Sequence, residues 1–105
     1  MPFEQFPSPP EAANDPVIAA LWRSETFDAQ YYLEQYPDVA ASGIHPLVHY
    51  VRHGANESRN PCSHFDTHYY LTANSDVANA GMNPLLHFCE AGWKELRKPS
   101  ADFDV

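Results

Sequence analysis

The sequence predicts an all-α protein: two tandem three-helix repeats behind an N-terminal capping helix. Three observations carry this. The stretch 27–61 is written twice, with every matching pair 38 residues apart and 16 of its 35 positions identical. Self-similarity at a fixed period marks a stacked array, in which each unit needs its neighbours to bury its apolar face. Aspartate and proline fall where helices start, and glycine where they stop. No strand-like alternation of apolar and polar residues appears anywhere along the chain.

Taken in order, residues 1–14 carry Pro2, Pro7, Pro9 and Pro10 with little periodic pattern and read as a flexible leader. The region 15–26 holds the capping helix. Asp15 is its N-cap, Pro16 its first residue, and Val17, Ile18, Leu21 and Trp22 stand at helical spacing over 16–24. Its apolar face is expected to cover the open end of the first repeat.

The repeats run 27–64 and 65–102. In each, an aspartate (Asp28 or Asp66) caps a first helix, over 29–35 and 67–73. Pro37 starts a second helix through Ser42, and Ser75-Asp76 starts its counterpart; Gly43 and Gly81 end these with a left-handed residue. Pro46 and Pro84 open the third helix, and Gly54 and Gly92 are expected to end it. Leu47, Tyr50 and Val51, matched by Leu85, Phe88 and Cys89, form one apolar face, completed by Phe27, Tyr32, Leu33 and their counterparts. Residues 103–105 begin a third copy or cap the second, since Phe103-Asp104 follows Phe65-Asp66 by 38 residues. Phe103 is expected to fold back onto the second repeat.

Fourteen acidic against six basic residues give a net charge of -8, which argues against a nucleic-acid backbone or an anionic membrane as partner. No run approaches the ~18 apolar residues of a membrane span. The opening residues lack a basic start and apolar block, so the expected location is the cytoplasm, or outside the cell by a route without an N-terminal signal peptide. Cys62 and Cys89 are not repeat equivalents and make no disulfide framework; Cys89 replaces a valine and reads as a small buried hydrophobe.

Histidines are the sharpest chemical candidates. His45, His49 and His53 are four apart, and imidazoles at that spacing on a helix can share a metal ion. Against this, His45 precedes a proline and suits a cap, and the second copy reads Asn83, His87 and Ala91. The plainer reading has His49 and His87 hydrogen-bonded to a neighbouring loop or the next repeat. Cys62, His64 and His68 lack a fourth ligand. Asp28, Asp66, Asp38 and Asp76 are explained by helix starts, and Glu57, Arg59, Glu95 and Arg97 by ties within or between units. No nucleophile motif, phosphate loop or dinucleotide pattern is present, so the chain reads as non-enzymatic, with no cofactor. Adjacent Tyr31 and Tyr32 differ by ~100° around a helix, so both cannot be equally buried. Tyr31 and Tyr69 could line a ridge for sugar rings or a partner protein; inter-repeat packing is the favoured reading. Together with His49, His87 and Trp93 they are the interaction candidates.

These residues resemble a bacterial tandem repeat of the type Phe-Asp-x-x-Tyr-Tyr-Leu, Pro-Asp-Val-Ala, Gly-x-x-Pro-Leu-x-His-Tyr, Gly-x-x-Glu-x-Arg. Such repeats occur beside glycosyltransferase domains of surface-polysaccharide synthesis and in large secreted proteins with calcium-binding glycine-rich repeats. The chain departs from the pattern at Asn74-Ser75, where the family favours Asn-Pro, and at Leu96, where it favours glycine. The resemblance implies an accessory module contacting a protein partner or surface glycan, with self-association through repeat ends as a further possibility. The alternatives are a small histidine-based metal-binding protein or an accessory subunit of a larger enzyme complex.

Overall fold

The computed structural model describes residues 15–101; the readings of 1–14 as a leader and of Phe103 as a closing contact lie outside the described residues. Among the described residues the fold is all-α, with seven α-helices and no strand. Helix α1 spans Pro16–Ser24, and the Asp15 carboxylate accepts the amides of Val17 and Ile18 at its start. In the first unit α2 spans Ala29–Gln35, α3 Pro37–Ser42 and α4 Pro46–His49. In the second, α5 spans Thr67–Ala73, α6 Ser75–Ala80 and α7 Pro84–His87.

The caps form as the residue types dictate. Asp28 and Asp66 accept the amides of Tyr31 and Tyr69, each at 3.0 Å. His45 accepts from the Leu47 amide and Asn83 from that of Leu86, so the residue before each proline is a cap. Gly43 and Gly81 have φ of 77° and 69°, the left-handed turn that stops α3 and α6.

The third helix departs from expectation. It does not stop at Gly54 or Gly92, whose backbone is right-handed helical in the first case and lies inside a π-helical turn in both. The turns Tyr50–Gly54 and Phe88–Gly92 continue α4 and α7 with wider winding: the Ala55 amide reaches the Tyr50 carbonyl, and the Trp93 amide the Phe88 carbonyl at 3.1 Å. In the first unit a 3₁₀ turn, Ala55–Glu57, follows. The stop is a Schellman motif. Ser58 (φ 62°) and Leu96 (φ 60°) are left-handed, and the amides of Arg59 and Arg97 bond back to the carbonyls of Gly54 and Gly92, each at 2.9 Å.

Gly54 and Gly92 are required for another reason. A β-carbon at Gly54 would collide with the Tyr32 hydroxyl, and one at Gly92 with that of Tyr70. The wide turn and the missing side chain together let a tyrosine from the first helix reach under the third.

The core is Ile18, Leu21, Tyr32, Val39, Leu47, Tyr50, Phe65, Tyr70, Val77 and Leu85, all nearly or fully buried. Helix α1 contacts both α4 and α7, so it bridges the two units instead of covering the first alone. Its C-terminal end sets Trp22 edge-on to His45 in the first unit. Thr26, just beyond it, lies 3.4 Å from the Cys89 sulfur in the second. Cys89 is half-buried.

Candidate functional site

The repeated side chains build the same cluster twice. Tyr32 and His49 share a hydrogen bond of 2.8 Å between Oη and Nδ1, and Tyr70 and His87 share one of the same length. The partner of each histidine is therefore a tyrosine of its own unit, not a loop or the next repeat. Seventeen residues separate each pair, and nothing in the local pattern joins them. Burial pushes His49 below its ordinary value, with Arg59 adding to the effect, which disfavours the charged imidazole. Burial pushes the Tyr32 hydroxyl up, and that of Tyr70 up to about 12.

Beside each pair sits an arginine clamp. Arg59 makes two bonds to the Asp38 carboxylate, at 3.0 and 2.9 Å, and a second ion pair to Glu57 at 2.9 Å. Its guanidinium also lies 4.8 Å from the centre of the Tyr36 ring. Arg97 repeats the fork onto Asp76 at 2.9 and 3.0 Å, holds Glu95 at 2.8 Å, and takes Asn74 where the first unit has Tyr36. The guanidinium holds each of Asp38 and Asp76 below the usual carboxylate range. The closing turn is thus tied to the second helix of its own unit. The strap is completed by the Asp28 and Asp66 amides, which donate to the carbonyls of Pro61 and Pro99.

The joint between units centres on Thr67. Its hydroxyl donates to the Arg59 carbonyl at 2.7 Å, its amide donates to Asn60 Oδ1 at 2.9 Å, and Tyr50 Oη lies 3.2 Å from its Oγ1. Ala29 stands at the equivalent place in the first unit. A pocket of about 350 Å³ opens there, lined by Leu21, Trp22, Phe27, Ala29 and Leu47, with His45 and Glu25 alongside.

The histidine candidates for a metal do not converge. His45 serves its cap, His49 is buried against Tyr32, and His53 is exposed with its ring 5.5 Å from that of His49. Among the described residues no group of three or more His, Cys, Asp or Glu is placed to hold a metal ion. Tyr31 and Tyr69 are half-buried. Burial, then Tyr36 and Cys62, raise Tyr31 above its ordinary value. Trp93 is different: it is 56% exposed. Sequence reasoning missed its neighbours Lys94, Leu96 and Lys98, and the pocket residues Trp22, Glu25 and Phe27. The signal was present in the copy comparison, where Trp93 stands in place of Ala55.

Fold and site together define an all-α, two-unit protein whose repeated polar side chains bind one another. Compared with family models, curated proteins and solved structures, the chain matches none. No helix among the described residues is long and apolar enough to cross a membrane.

Proposed function

We propose that this chain is a non-catalytic helical interaction module that contacts a protein partner or a glycan. The observation that supports it is how the repeated chemistry is used. The Tyr-His pairs and the arginine forks recur in both units with nearly identical bond lengths and tie helices together, while the large apolar side chains left exposed include a tryptophan, Trp93. Exposed, oriented aromatics are the residues that anchor partners. The bacterial surface-polysaccharide or secretion setting rests on the resemblance of the repeat alone. The test is a pull-down with the intact chain against surface polysaccharide and against the transferase that makes it. Retention of either supports the reading, and retention of neither rejects it.

A further inference from the structure

We infer that two copies of this chain pair about a two-fold axis, Trp93 of each copy seating in the pocket beside α1 of the other. The inference goes beyond the module reading: it names a second copy, apart from any glycan or transferase, and one surface.

Comparing the units shows why Trp93 needs a partner. Ala55, its equivalent, is 7% exposed and lines the cleft between the units with Val17, Leu71 and Pro84. Trp93 puts an indole where that packing requires a methyl group. The ring is held in place: its Nε1 donates to the Cys89 carbonyl at 3.0 Å, and the Lys94 ammonium lies 5.8 Å from the ring centre. Leu96, in the same turn, is 71% exposed. A pre-oriented indole loses little side-chain freedom on binding.

Charge selects the occupant. The chain carries six Lys and Arg against fourteen acids, yet Lys94, Arg97 and Lys98 fall within five residues around this indole. Arg97 is engaged by Asp76 and Glu95, which leaves the two lysines as a basic rim. A second copy is itself acidic, and its pocket carries Glu25, exposed at the left-handed residue ending α1. That pocket, about 350 Å³, lies near the bottom of the ~300–1,000 Å³ range of ligand sites, a size for one aromatic side chain more than for an oligosaccharide.

Position then favours a closed pair. Thr26, between pocket residues Glu25 and Phe27, touches the Cys89 sulfur, and the Cys89 carbonyl holds the Trp93 indole. Patch and pocket are thus linked through Cys89, so that one face of the molecule can present both to a second copy. Such a surface closes as a two-fold dimer in which each contact is made twice.

Sedimentation equilibrium over a range of concentrations tests this on the full chain. The expected result is growth from 11.9 kDa to twice that mass and no further. Trp93→Ala, at an exposed site, should weaken the dimer by roughly 30-fold or more, as loss of an aromatic anchor does, with an unchanged melting curve at concentrations where the parent is monomeric. Glu25→Lys should also weaken it, and Glu25→Lys combined with Lys94→Glu should restore it. A monomer at every concentration, growth beyond two copies, or a Trp93→Ala dimer as tight as the parent overturns the inference. A chain that stays monomeric yet retains polysaccharide or transferase rejects the dimer and leaves the module reading standing. A dimer that retains neither does the reverse.

Discussion

Replacing Gly54 with alanine is the sharpest probe of how the units are built. In an ordinary helix that change stabilises by ~1 kcal/mol, because alanine has the higher helix propensity. Here the added methyl meets the Tyr32 hydroxyl, which is fully buried and bonded to His49. Overpacking of this kind costs ~1–3 kcal/mol. Driving the hydroxyl off strands a buried imidazole nitrogen, a further ~1–3 kcal/mol. The net expectation is a loss of about 3 kcal/mol, a fall in Tm of roughly 12–24 °C for a domain of this size. Tyr32→Phe alone should cost ~1–3 kcal/mol by leaving His49 unpaired. In that background the next atoms facing the new methyl are Tyr32 Cζ at 3.2 Å and Tyr50 Cδ1 at 3.3 Å, tight but able to give. Gly54→Ala should then be close to neutral, a coupling of ~3 kcal/mol in a double-mutant cycle read by urea denaturation. A Gly54→Ala protein as stable as the parent, or additive effects in the double variant, would refute the account.

Four other outcomes follow from the same structure. Leu47→Ala or Leu85→Ala, each removing a side chain that is 0% or 2% exposed, should cost ~2–5 kcal/mol by chemical denaturation. His49 has a depressed pKa in the folded state, so its contribution is complete above the unfolded value of 6.5 and is lost as pH falls through and below it. Asp38 and Asp76 are also depressed, so theirs is complete above about 4 and lost on further acidification. Melting between pH 7 and 5 should show the first decline, and His49→Gln should flatten it. Leu96→Gly should raise stability by ~1 kcal/mol, since a left-handed backbone strains leucine but not glycine; an unchanged or lower Tm would count against the Schellman stop. Zinc should not raise the Tm and chelator should not lower it, and a tightly bound metal retained through purification would reverse the assignment of His49 to Tyr32.

Much of the framework was legible because its signals are local. Asp28 capping α2 and Gly43 ending α3 need only a few neighbouring residues to be read. The π-helical turn was not legible, since its cause is Tyr32 arriving from another helix. For the same reason Gly54 looked like a stop when it is a clearance. Ser58 and Leu96 take a left-handed backbone that their types do not advertise, and the unit's closing bonds hold them there. The pairing of His49 with Tyr32 links two helices, so spacing along α4 pointed to His45 and His53 instead. The site was least legible. Trp93 was visible as one aromatic among many, and its significance needed the burial of Ala55.

The spacing of the hydroxyl bonds bears on how the chain reaches this state. Tyr32 to His49, Tyr50 to Thr67 and Tyr70 to His87 each close a loop of 17 residues, whereas Thr26 to Cys89 closes one of 63. Closing the longer loop costs about 1 kcal/mol more in chain entropy. Mostly local contacts favour folding on the microsecond-to-millisecond scale. During synthesis the first unit can knit itself together before the second has emerged. Helix α1 precedes both units and finds the α4 half of its seat with the first, but must wait for α7, made some sixty residues later, before the seat is complete. Full docking of α1 therefore comes after both units have formed, and it turns two locally folded units into one cooperative body.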